Sequence, residues 1–148
     1  MNDKAQANKL DFGILTELVG YHVRLAQVAI FRDFAANLRE LDITPTQFGT
    51  MVIIGANPGI KQTDLAQAIQ LDRSSIVPLI DRLEKGGLVT RERLHSDRRI
   101  NALKLTPAGS RFLEKLVPLV HDHDQGILGK LDKKEQNQLI NLLNKISR

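Results

Sequence analysis

Residues 72 to 87 read DRSSIVPLIDRLEKGG, and the fold turns on whether they form a helix. Asp72 is a strong N-cap residue and Gly86-Gly87 a strong stop. Ile76, Leu79, Ile80 and Leu83 fall at i, i+3, i+4 and i+7, the stripe of a helix with one face committed to a core. Pro78 stands against that reading, because it removes the bond from its own N–H to the Ser74 carbonyl, at about 3 kcal/mol in a helix interior. The loss falls early in the helix, and Pro78 lies off the apolar stripe. A helix with Pro78 on its free face, among Arg73, Ser74, Ser75, Val77, Asp81 and Arg82, accommodates both signals.

Outward from this helix the chain organises itself. Upstream, Thr44, Pro45 and Gln47 have the spacing of a capping box with proline at the first helical position, and predict a helix carrying Phe48, Met51 and Val52 inward as far as the breaker Asn57-Pro58-Gly59. A short helix near QTDLAQAI follows, with Leu65, Ala66 and Ile69 inward. Downstream, LVTRERL and RRINALKLT change to period 2 around a polar turn at HSD, which is a β-hairpin. Thr106-Pro107 repeats the cap-plus-proline device and opens a helix through Phe112, Leu113, Leu116 and Val117. Asp132, with Glu135 three residues on, caps a last one bearing Leu139, Leu142, Leu143 and Ile146. From Leu10 to about Leu41 the spacing of Ile14, Leu18, Leu25 and Ala29 predicts one long helix.

Three short helices followed by a basic hairpin describe a winged helix-turn-helix, so the expected class is mainly α with a small β-hairpin wing, α+β. The 148 residues suit a single domain, with the DNA-binding lobe at 44–105 and apolar helices at 10–41 and 106–148 free to join a second copy. A monomeric helical bundle would use the same stripes internally.

Composition narrows the function. Hydrophobic residues at 42% and charged residues at 26% describe a folding chain. No apolar run is long enough for a membrane, and the first residues lack the pattern of a secretory signal, so a cytoplasmic location is expected. Zero cysteines exclude thiolate catalysis and cysteine-bound zinc. Residues 61–104 hold nine Lys or Arg against six Asp or Glu, and this basic middle fits double-stranded DNA. No nucleophile with its base, no phosphate loop and no HExxH is present, so neither an enzyme nor a cofactor is expected. HDHD at 121–124 sets His121 and His123 two residues apart, on diverging sides of a helix, which suits a solvated helix end better than a metal.

For DNA, the short side chains of Ser74, Ser75 and Pro78 permit close approach of the helix to base edges, with Arg73 and Arg82 beside them, although serines in a first turn also act as local caps. Arg91, Arg93, Arg98, Arg99 and Lys104 crowd the hairpin, answered only by Glu92 and Asp97. Asp97 is expected to orient Arg99, and tip arginines suit a narrow minor groove.

The run LAQAIQLDRSSIVPLIDRLEKGGLVTRERLHSDRRINALKLTPAG resembles the MarR family of bacterial transcription regulators, above all in DRR at 97–99 and LTPAG at 105–109. The resemblance implies a homodimeric, ligand-responsive repressor, with Ser74, Ser75, Pro78 and Arg82 at recognition-helix positions and Arg98 and Arg99 at the wing tip. Lys61 departs from it, standing where Ser or Thr often caps the short third helix. Family members commonly release DNA when a small anionic or aromatic ligand binds between the dimer helices and the lobe. His22, Arg24, Arg32, Phe48 and Met51 are the candidate effector contacts, suited to a phenol, an aromatic carboxylate or its thioester, although Arg24 and Arg32 could equally bond across a dimer interface. The competing reading is a helical dimer that binds a small molecule or an acidic protein without sequence-specific DNA binding.

Overall fold

Four helices begin at side chains that close their own first turn. The computed structural model describes residues 10–93 and 100–147. The Thr44 hydroxyl accepts from the Gln47 amide at 3.1 Å, and the Thr44 amide donates to Gln47 Oε1 at 2.8 Å, opening α2 (Pro45–Ala56). Asp72 accepts from the Ser75 amide at 2.8 Å and opens α4 (Arg73–Lys85). Thr106 accepts from the Gly109 amide at 2.8 Å and opens α5 (Pro107–Ile127). Asp132 and Glu135 exchange two 2.8 Å bonds at the start of α6 (Lys133–Ser147). Each satisfies backbone donors that a helix start otherwise leaves unpaired.

The single helix expected from Leu10 to Leu41 is instead three pieces: a 3-10 turn at Gly13–Glu17, α1 at Val19–Asn37 and a second 3-10 turn at Arg39–Leu41. Leu18, with φ −93° and ψ 122°, is extended and interrupts the first, and Gly13 adopts φ +52°. Apolar spacing continues through such a break, which is why it was invisible in the sequence.

The hairpin strands pair as read, β2 (Val89–Arg93) running antiparallel to β3 (Asn101–Leu105) from Val89 opposite Leu105 to Arg93 opposite Asn101, while the turn read at HSD lies outside the described residues. A third strand, β1 (Ile60–Lys61), joins the other edge of β3, giving the order β1-β3-β2. It precedes α3 (Gln62–Ala68), and Lys61 makes no side-chain cap there. Its strand pairing, with the Gly59 amide donating to the Leu103 carbonyl at 2.8 Å, secures the start of the helix instead.

Met51, Ile54, Leu65, Ile80, Leu103 and Leu116 are fully buried, so α2 to α5 and the sheet share one core. Of the α4 stripe, Ile76, Ile80 and Leu83 are buried and Leu79 is half-buried. The LTPAG motif forms the junction of α4, β2, β3 and α5. Thr106 Oγ1 donates to the Gly87 carbonyl at 2.6 Å, its amide donates to the Leu88 carbonyl at 3.0 Å, and a Cβ on Gly109 would stand 2.0 Å from that same Leu88 oxygen. Only glycine lets α5 start so close to the strand.

At the chain ends the apolar stripes stay open. Leu15, Leu18, Leu25, Val28 and Phe31 of the N-terminal segment, and Leu139, Leu142, Leu143 and Ile146 of α6, are each about 40% exposed or more within one protomer.

Candidate nucleic-acid interface

α4 carries Pro78 without interruption, and Pro78 is exposed together with Arg73, Ser74, Ser75 and Arg82. Ser75, Pro78 and Arg82 share one stripe at i, i+3 and i+7, opposite the buried Ile76, Ile80 and Leu83. The helix therefore presents a narrow row of short side chains ending in one arginine. At its start the Ser74 hydroxyl donates to Asp72 Oδ1 at 2.7 Å. This bond, with those from Ser75, holds the Asp72 carboxyl below its ordinary range. The cap is thus Asp72 itself, and Ser74 supports it with a hydroxyl that retains only its acceptor capacity for a further partner.

The strands of the wing hold two kinds of cation. Arg91, counted in the sequence as a free hairpin charge, reaches back to α4, 2.7 Å from Asp81 and 3.3 Å from Glu84, with its side chain only 21% exposed. It fixes the wing's angle to α4. Lys104 pairs with Glu92 across the hairpin at 2.9 Å, while Arg93 is exposed at the end of β2. Arg98 and Arg99, with the proposed Asp97–Arg99 bridge, lie outside the described residues. Replacing Arg91 with methionine removes a charged hydrogen bond to Asp81 and an ion pair with Glu84 and is expected to lower stability by about 1–2 kcal/mol, measured as the urea midpoint at constant m.

The five effector candidates are not brought together. Met51 is wholly inside the core and Phe48 is half-buried against it. His22 is exposed, with Nε2 2.9 Å from the Thr16 carbonyl oxygen, and Arg24 and Arg32 are exposed on α1. Met51 is thus a packing residue, as its inward reading requires, whereas Val52, also expected inward, is 38% exposed. A cleft of about 420 Å³ opens instead between α2, β3 and α5, walled by Val52, Gly55, Pro58, Leu105, Leu113 and Val117, with Lys104 also on its lining. Its residues come from three separate segments, and no local pattern marks them.

HDHD lies in the last two turns of α5, the helix end expected, but its histidines differ: His121 is exposed, whereas the His123 side chain is 5% exposed. The His123 ring meets Phe34 edge-on at 5.4 Å, and Nε2 lies 3.1 Å from Asp33 Oδ2 but off the direction of a hydrogen bond. It joins α1 to α5. Among the described residues no three His, Asp or Glu side chains gather closely enough to hold a metal ion, and no helix is long and apolar enough to cross a membrane.

Comparison with known proteins gives the same picture from outside. The MarR family model matches residues 43–100. A Thauera aromatica protein assigned as a transcriptional regulatory protein for the hcr operon is 36% identical over 141 residues, covering 95% of this chain and 85% of that one. The transcriptional regulator HosA of Escherichia coli is 31% identical over 105 residues, covering 71% and 78%. Among solved structures, the transcriptional repressor CouR bound to a 23-mer DNA duplex superposes with a TM-score of 0.88 at 35% identity, covering 95% of this chain and 99% of CouR. CouR bound to p-coumaroyl-CoA gives 0.87 at 32%, with the same coverage.

Proposed function

The chain belongs to the MarR family, and on that premise we propose that it is a homodimeric, ligand-responsive repressor that binds a pseudo-palindromic operator in the cytoplasm and has no catalytic role. The observation that carries this reading is the exposed stripe of α4, Ser75, Pro78 and Arg82, held at a defined angle to a basic wing by Arg91. Ser74, Ser75 and Pro78 read base edges in the major groove, Arg73 and Arg82 engage the helix flanks, and Arg98 and Arg99 enter the flanking minor groove. The open apolar rows of the N-terminal segment and α6 support the homodimer, because contiguous apolar surface of this kind is rarely left in water. Two recognition helices then stand about 34–36 Å apart, in successive major grooves.

The effector is an aromatic acid or its thioester, in keeping with the p-coumaroyl-CoA bound by CouR. It enters the α2–β3–α5 cleft, with His22, Arg24 or Arg32 serving its charged end in the dimer. A mobility-shift assay on the DNA flanking the chain's own gene tests both halves. A discrete shifted band that p-coumaroyl-CoA or a related aromatic thioester abolishes supports the reading. Val52→Trp, which crowds the cleft, should still bind this DNA but need at least about tenfold more thioester for release. Release unchanged in that variant removes the cleft from the effector path. No shift on any flanking duplex favours the acidic-protein or small-molecule binder.

A further inference from the structure

Arg82 ends the exposed stripe of α4, and its guanidinium already has a partner. Its Nη2 lies 3.3 and 3.4 Å from the two carboxylate oxygens of Asp42, forty residues away in the chain. Both side chains are open to solvent, 60% exposed for Arg82 and 89% for Asp42. Asp42 follows the 3-10 turn Arg39–Leu41 and adopts the left-handed conformation, φ 44° and ψ 47°, which aspartate tolerates better than most residues. The pair thus ties the segment leading from α1 to the last turn of the helix assigned to DNA.

We propose that Asp42 is an internal competitor for the Arg82 guanidinium: its carboxylate occupies, in the free protein, the charge that a DNA phosphate takes in the complex. The inference rests on the assignment of Arg82 to the DNA interface. An exposed pair of this geometry contributes little to folding, because water and salt screen both charges. Asp42 is therefore better explained as a brake on affinity than as a stabilising contact. Two such pairs act in a dimer, so each operator complex forms against both.

The test is a double-mutant cycle on the flanking-gene duplex at fixed salt, with Asp42→Asn, Arg82→Gln and the double variant. Asparagine keeps the left-handed preference, and Asp42→Gly, which suits that backbone equally, controls for a fold effect. Asp42→Asn and Asp42→Gly are expected to tighten binding by about three- to tenfold, two exposed pairs being released at once. Arg82→Gln should weaken binding by a similar factor, and adding Asp42→Asn to it should restore nothing. Equal tightening by Asp42→Asn in both backgrounds would show that the carboxylate acts on the general field and not on Arg82, which overturns the proposal. No tightening in either Asp42 variant overturns it too. Arg82→Gln without effect on a duplex that still binds would remove Arg82 from the interface and the proposal with it, leaving DNA binding itself intact.

Discussion

Replacing Gly109 with alanine is expected to destabilise the protein by about 3–5 kcal/mol, a large part of the 5–15 kcal/mol that holds a domain of this size together. The added methyl would lie 2.0 Å from the Leu88 carbonyl oxygen and 2.9 Å from its carbon, so the obstacle is backbone and has no rotamer to relax into. Moving α5 away would break the Thr106 bonds to Gly87 and Leu88 that join it to the end of α4 and the start of β2. Gly126→Ala is the matched control. It sits in the same helix with nothing within 4 Å of its Cβ, and should stabilise by about 0.5 kcal/mol. Thermal or urea unfolding followed by circular dichroism separates the two, and a Gly109→Ala variant as stable as the parent would contradict the junction described.

The second large effect is expected at the wing. If each half-site makes roughly four phosphate contacts, the logarithm of affinity falls against the logarithm of salt with a slope of about −7. Replacing Arg98 and Arg99 together with alanine removes two cations from each half, and the slope should drop to about −3.6 while affinity at moderate salt falls by at least about tenfold on every sequence. Ser75→Ala and Pro78→Ala should behave differently, changing which duplexes are preferred more than the salt slope. Anisotropy titrations on matched and scrambled duplexes distinguish the two patterns.

How much of this could be read from the sequence follows from the range of each interaction. The caps at Thr44, Asp72, Thr106 and Asp132 were legible because a side chain bonding a backbone amide three residues on is a purely local signal. The exposed position of Pro78 was legible from helical phase, since the buried partners of α4 recur at fixed spacing. The break at Leu18 and the two-residue strand Ile60–Lys61 were not: one leaves apolar spacing intact, and the other is too short to show a period and exists only because β3 offers it an edge. The same limit governs the site. Arg91 looked free because Asp81 and Glu84 answer it through space, Val52 looked buried because nothing local shows which side of α2 is left open, and His123 looked solvated because Phe34 and Asp33 lie on another helix. Why α5 carries Pro118 in its interior has no account in the contacts described.

Whether a pair of these chains reads DNA through α4 and the wing is decided by a titration of the purified protein against the duplex flanking its own gene, set beside a scrambled duplex across a range of salt. Two chains per duplex are expected, binding at least about a thousandfold tighter than to the scrambled sequence, with a salt slope near −7. Equal affinity for both duplexes, or a complex indifferent to salt, would contradict that expectation.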